Sequence, residues 1–239
     1  MHFSDILETA LGKSFTLTPD ELEAIRQLPN RTVSLVANES IHRAGDKPSC
    51  CFVILDGIVS SSVLIEDDKR QIMSLYVRGD MPDLRTLHLK VMDSDLRTMS
   101  ACRLAFIDHV DIEALSAAHP RITAALWRAT LVVASIYRQW IVNNAHRSAV
   151  ARLAHLFCEM LTRLEIAGLV EDGRCYLPLT QVHLSQATGL SSVHVNRSLQ
   201  QMRKSGLLIF QNSRLVILDW PALTRIANFQ PDYLHPPGD

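Results

Sequence analysis

The residues of this chain best suited to chemistry with another molecule lie in one run, Ser191-Ser192-Val193-His194-Val195-Asn196-Arg197. Arginine can grip O6 and N7 of guanine with two hydrogen bonds, and asparagine can do the same for N6 and N7 of adenine. Such groups read DNA when the first turns of a helix present them to a groove. The spacing predicts that helix over Ser192–Lys204. Ser191 can cap it and Gly206 stops it. A shorter helix over 180–188 precedes it and ends at Gly189. Helix, glycine turn, helix is the helix-turn-helix pattern. Leu184 and Ala187 in the first helix, and Val195, Leu199 and Met202 in the second, form the apolar faces. Ser192, Val193, His194, Asn196 and Arg197 are left for the outside. Thr180 and Ser191 stand at helix starts, where hydroxyls and free amides meet phosphate.

The residues after Gly206 extend the pattern. Two short apolar runs, 207–210 and 215–218, flank the polar tip Gln211-Asn212-Ser213-Arg214, so a hairpin wing is expected with Arg214 poised for a phosphate. Between Leu179 and Val216 the chain has Arg197, Arg203, Lys204 and Arg214 and no acid. The whole chain, with 24 basic and 25 acidic side chains among 239 residues, is not a globally basic binder. Its first 120 residues carry 12 basic and 18 acidic groups; the rest carry 12 and 7. An acidic front and a basic back predict two modules, of which only the second suits a polyanion.

The front half reads as β structure. Short β-rich runs at 40–44, 51–55, 58–65, 71–77 and 103–107 are separated by turn residues such as Asp56-Gly57, Glu66-Asp67-Asp68 and Gly79-Asp80. That spacing predicts an antiparallel roll or barrel. A helix over 19–28 precedes it, with Thr18 and Glu21 as a capping box. A long helix over 120–144 follows it. Ile122, Leu126, Ala129, Val133, Ile136, Trp140 and Asn143 are spaced 4, 3, 4, 3, 4, 3, a heptad seam expected to pair with a second copy. Trp127, Leu131, Val132 and Ile141 make a second apolar face, so one face is expected to pack on the roll and the other on a partner subunit. A further helix is expected over 148–166. The expected segments are a sensor roll over 1–118, a dimerisation helix over 119–146 and a winged helix over 147–239, α+β in class.

In this order the chain resembles the Crp/Fnr family of bacterial transcription regulators. The resemblance rests on Gly45-Asp46, Ile54-Leu55-Asp56-Gly57 and Gly79-Asp80 in the roll. Its most specific part runs from Thr180 to Leu208, with Gly189-Leu190-Ser191, Val195, Arg197 and Gly206-Leu207. It implies a homodimer with a cyclic-nucleotide-binding-like roll, double-stranded DNA as ligand and RNA polymerase as a further partner. It also implies base contacts at Ser192, Val193 and Arg197, and phosphate contacts near Thr180, Gln181 and Ser191.

The resemblance places an effector pocket around Gly79, Asp80, Arg85, Met92 and Asp93. Cyclic-AMP binders of the family hold the phosphate with an Arg-Ser pair. Counting back from Ala101-Cys102, those positions are Met92 and Asp93 here, so cyclic AMP is not expected; Arg85 and Arg97 are the nearby cations that could replace the lost arginine. Four-thiolate iron–sulfur ligation is not expected either. The five cysteines, Cys50, Cys51, Cys102, Cys158 and Cys175, lack the spacing. No zinc spacing occurs among the ten histidines, and no cofactor or metal is assigned. No run is long and apolar enough for a membrane span, and the odd thiol count without a C-x-x-C pair suits a reducing cytoplasm. No nucleophile–base pair, phosphate loop or carboxylate pair suggests an enzyme. The alternative to a DNA-binding regulator is a protein-interaction module whose winged helix contacts protein.

Overall fold

The computed structural model describes residues 2–12, 16–66 and 69–236. Their contacts divide into two compact units. One comprises the chain up to Val63 together with Leu75–Ala134; the other comprises Leu64–Ser74 and Ser135–His235. The boundary falls inside the long helix rather than at either of its ends.

The first unit opens with α1 (Phe3–Gly12) and α2 (Pro19–Arg26). Thr18 and Glu21 form the expected reciprocal cap on α2. Strands β1 (Arg31–Leu35), β2 (Ser40–His42), β3 (Cys50–Asp56), β4 (Val59–Glu66), β5 (Lys69–Tyr76), β6 (Asp95–Thr98) and β7 (Cys102–Asp108) build two antiparallel sheets. Their orders are β1-β7-β3 and β2-β6-β4-β5. This is the expected roll. Two of its strands, β1 and β6, were not expected: each is short, and mostly polar residues alternate along it. The expected turn at 66–68 lies partly outside the described residues. Gly57 at the β3–β4 turn has φ +92°, and a Cβ there would sit 2.5 Å from the Ala101 carbonyl oxygen, so only glycine fits. Short α3 (Thr86–Leu89) and α4 (His109–Ala118) complete the roll before the long helix α5 (Pro120–His146).

The heptad seam expected on α5 is not a free surface. Ile122 and Leu126 belong to the same buried core as Ile25, Val53, Ile107 and Ile112. Val133 packs against the second core, around Phe52, Tyr76 and Leu104. Ile136, Trp140 and Asn143 are buried as well. Of the six residues expected at a dimer interface, only Ala129 is exposed. The other apolar face stands open: Trp127 is 67% exposed, Leu131 53% and Ile141 67%. A heptad marks an apolar stripe but not what the stripe packs on, and here it packs on its own chain.

The second unit contains the C-terminal part of α5 and α6 (Ala149–Ile166), capped by Ser148. It continues with β8 (Val170–Glu171), β9 (Arg174–Tyr176), α7 (Gln181–Thr188), α8 (Ser192–Lys204), β10 (Leu208–Gln211), β11 (Arg214–Ile217), α9 (Trp220–Ala227) and a 3-10 turn at Pro231–Leu234. The four strands form one sheet in the order β10-β11-β9-β8. The β8–β9 hairpin was not expected, although its Asp172-Gly173 turn is a strong hairpin signal. The α5–α6 packing encloses a polar cluster. Glu159, fully buried on α6, accepts from the Trp140 indole (3.0 and 3.1 Å), from the Tyr233 hydroxyl (2.7 Å) and from Arg163 (3.4 Å). Burial pushes the Glu159 carboxyl up, while Arg163 and these hydrogen bonds oppose that shift.

Candidate nucleic-acid interface

The helix-turn-helix forms as its residues dictate. The Thr180 hydroxyl accepts from the His183 amide (3.2 Å), and the Thr180 amide donates back to His183 Nδ1 (3.2 Å), giving α7 a reciprocal cap. Gly189 closes α7 at φ +66°, a conformation glycine adopts without strain. Ser191 caps α8 by accepting from the His194 amide (3.3 Å). Leu184, Ala187, Val195 and Met202 are buried where the helices pack; Leu199 is half-buried.

The C-terminal carbonyls of α7 are held from three sides within the second unit. Asn144 donates to the Ala187 carbonyl (3.1 Å) and Arg152 to the Thr188 carbonyl (2.8 Å). Gln71 donates to the Gln186 carbonyl (2.7 Å). These bonds fix the first helix and, through the Gly189 turn, the direction of α8. Residues 71, 144 and 152 carry no local signal for this work, because they meet α7 only in three dimensions.

The outer face of α8 is what this arrangement presents. Ser192, Val193, Asn196, Arg197 and Gln200 line a shallow surface depression of about 440 Å³. Val193, an apolar side chain left 68% exposed in the first turn, suits contact with a thymine methyl. Arg197 is exposed and has no hydrogen bond or ion pair among the described residues. Asn196 accepts from the Gln200 amide (2.9 Å), a contact that helical i, i+4 spacing makes available. Gln200 was not among the expected site residues, although that spacing from Asn196 marks it. His194 is turned back toward Ser191 Oγ (2.9 Å), so it belongs to the cap rather than to the reading face. Thr180 uses its hydroxyl oxygen as an acceptor in its cap and keeps the hydroxyl hydrogen for a further acceptor, while the Ser191 hydroxyl is engaged by both the His194 amide and the His194 ring. Gln181 is exposed at the start of α7.

At the wing, the turn consists of Asn212 and Ser213, at φ +50° and +60°. Arg214 is the exposed first residue of β11, opposite Gln211. It flanks the tip instead of occupying it.

The corner of the roll expected to form an effector pocket is arranged differently. Arg85 donates to Asp93 (2.6 Å), to Ser94 Oγ (3.0 Å) and to the Pro82 carbonyl (2.6 Å). The guanidinium opposes the burial cost and holds the Asp93 carboxyl below its ordinary range. Met92 is not at a pocket surface; it is a core residue packed with Tyr76 and Leu96. Asp80 accepts from the Val77 amide (2.8 Å), and Gly79, at φ +88°, donates to the Ile54 carbonyl (2.8 Å), so both serve the turn. Arg97 donates to the Asn38 carbonyl (2.7 Å). The Cys51 thiol is buried, and desolvation pushes its pKa well up, as it does for Cys50, so neither is held as a reactive thiolate. Among the described residues no three His, Cys, Asp or Glu side chains cluster as metal ligands, and no helix is long and apolar enough to cross a membrane.

A ligand-sensing type of roll joined to a winged helix defines a class of DNA-binding regulator. Residues 32–119 match the cyclic nucleotide-binding domain, and residues 151–226 match the Crp-like helix-turn-helix domain. Electron transport regulator A of Shewanella oneidensis is 22% identical over 228 residues, covering 95% of this chain and 90% of that protein. The fumarate and nitrate reduction regulatory protein of Escherichia coli is 22% identical over 230 residues, with the same coverage. The structure of FixK2 from Bradyrhizobium japonicum superposes with a TM-score of 0.76 at 20% identity, covering 83% of this chain and 98% of that one. The chain belongs to the Crp/Fnr family and is a transcription regulator with a helix-turn-helix DNA-binding domain.

Proposed function

We propose that the chain acts as a homodimer that places two copies of α8 in successive major grooves of a two-fold DNA site, about 34 Å apart. The observation that carries this reading is the outer face of α8, where Arg197 stands unpaired beside Ser192, Val193, Asn196 and Gln200. Arg197 reads a guanine, Val193 touches a thymine methyl, and the caps at Thr180 and Ser191 meet phosphate. The pairing surface is the open face of α5. Trp127, Leu131, Ala134, Arg138 and Ile141 repeat at 4, 3, 4, 3, the same heptad period displaced to another side of the helix. On this reading the protein works in the cytoplasm and acts on RNA polymerase at promoters.

The signal received by the roll is not a cyclic nucleotide. Supporting this is the Arg85 guanidinium, whose strong donors already serve Asp93, Ser94 and Pro82, and Met92, which is buried in the core. A phosphate charge brought beside Asp93 would be repelled.

Fluorescence anisotropy on the DNA upstream of its own gene, against a scrambled duplex, tests the reading. The expected result is tight binding to the first duplex without ligand, weakening steeply as salt rises. Equal affinity for both duplexes, or affinity indifferent to salt, overturns it. Specific binding only in the presence of cyclic AMP overturns the reading of the Arg85 corner. Leu131→Asp is expected to yield a folded monomer by sedimentation; a dimer that persists refutes the assigned face.

A further inference from the structure

The second unit holds a cleft of about 280 Å³ formed by α5, α6 and the segment after α9. Gln139, Val142, Arg147, His155, Asn228 and Gln230 line it. It is separate from the α8 surface, and among the described residues no carboxylate lines it. Arg147 lies in the two-residue link between α5 and α6. Its Nε donates to the Ala227 carbonyl (3.0 Å) and its Nη2 to the Asn228 carbonyl (3.2 Å). These two bonds lock the plane of the guanidinium against the end of α9. The remaining nitrogen, Nη1, is shielded from solvent and has no hydrogen-bond partner; the same holds for Nδ1 of His155, whose ring is 1% exposed.

Arg147 as a whole is half-buried, but a guanidinium N–H shielded from solvent with no acceptor is rare in native proteins. The described residues offer none here. Glu159 is committed to Trp140, Arg163 and Tyr233, and Arg147 has no carboxylate within ion-pair distance among the described residues. Gln139, Asn228 and Gln230, residues whose side chains carry N–H donors, line the same cleft.

We infer that this cleft binds a small oxyanion, phosphate or carboxylate, through the guanidinium of Arg147. A guanidinium held flat by two backbone carbonyls is already oriented for such a group, so little side-chain freedom is lost on binding. His155 adds no second charge. Burial, then the positive charge of Arg147, hold its pKa down at about 4, so it is neutral at pH 7. The site therefore offers a single positive charge, which matches one phosphate or one carboxylate rather than a polyanion. Its volume, about 280 Å³, has room for such a group together with the small molecule that carries it, since drug-sized ligands fill about 300–1,000 Å³.

Isothermal titration calorimetry on the full chain in chloride buffer tests the inference, with inorganic phosphate and, separately, succinate as probes. Saturable binding of at least one is expected. Binding of phosphate alone assigns the site to phosphate-bearing molecules, and binding of succinate alone assigns it to carboxylates. Arg147→Gln should weaken binding about tenfold or more, the loss of a charge-assisted hydrogen bond. Because Arg147 also holds the end of α9, Gln139→Glu serves as the second variant. It leaves those bonds in place, sets a negative charge in the wall, and should weaken binding at least as much. No saturable heat with either probe up to about 10 mM, the weak end of specific binding, overturns the inference. So does unchanged affinity in Gln139→Glu.

Discussion

The outer face of α8 and the Arg85 corner of the roll carry similar side chains and use them in opposite ways. Arg197 stands exposed without a partner among the described residues, two turns at most from the Ser191 cap of its helix. Arg85 is folded onto Asp93 at 2.6 Å, and its other donors go to Ser94 and Pro82. The same guanidinium is thus left open in one place and used as a brace in the other. What separates them is whether the chain supplies an acceptor of its own. Groups satisfied internally support the fold, and groups left open are free for a second molecule. The buried cluster around Glu159 is the extreme of the first kind.

The largest expected effect breaks that extreme. Glu159→Ala leaves Arg163 buried without its carboxylate and removes the acceptor of Trp140 and Tyr233. A loss of about 3–5 kcal/mol of stability is expected in urea unfolding, because a buried charge loses its carboxylate and two buried donors lose their acceptor. A loss below about 1 kcal/mol would mean that the cluster is solvated and not closed. Arg197→Ala is the opposite case. It should weaken binding to the specific site by about 1–3 kcal/mol and relax preference at one base, with the unfolding midpoint unmoved. Unchanged site preference would show that α8 does not read bases through this residue.

The next effect depends on pH. His155 titrates at about 4 in the folded chain, below its ordinary 6.5, because burial and Arg147 disfavour its charged form. As pH falls, the unfolded chain takes up this proton first. The stabilising contribution is therefore complete above about pH 6.5 and is lost progressively toward pH 4. Between pH 7 and pH 5 the loss is about 2 kcal/mol. Urea unfolding at the two pH values should show it, and His155→Gln should flatten the difference; an equal slope in the variant would assign the acid sensitivity to other groups. The smallest effect comes from Asp93→Ala. Asp93 is largely exposed, so stability should change by less than about 1 kcal/mol. The informative readout is cyclic AMP binding by calorimetry. None is expected, since Met92 stays in the core; a gain of binding would show that the Asp93 carboxylate alone closes the corner.

Much of the DNA-binding face was legible without coordinates. The bounds of α8, its Ser191 cap, the Gly189 break, the capping box at Thr18 and the hairpin after Gly206 all rest on interactions within a few residues. The β8–β9 hairpin and Gln200 were equally local, marked by Asp172-Gly173 and by one helical turn from Asn196. The partner of each α5 face was of another kind. Ile122 and Trp127 lie five residues apart in one amphipathic helix, and nothing local says which side meets the chain's own core.

By itself, then, the sequence determined the element types around the site, the caps, the wing and the basic, acid-free surface from Leu179 to Val216, because short-range hydrogen bonds and helical spacing decide those. Tertiary structure alone decided which stripe of α5 is buried, that Arg85 spends its charge on Asp93, that Gln71, Asn144 and Arg152 steady α7, and that Arg147 keeps one nitrogen unpaired. Each of these is a choice of partner between residues distant along the chain or set by the packing around them. Such choices follow from packing the whole chain at once and from where water is excluded, which no local pattern encodes.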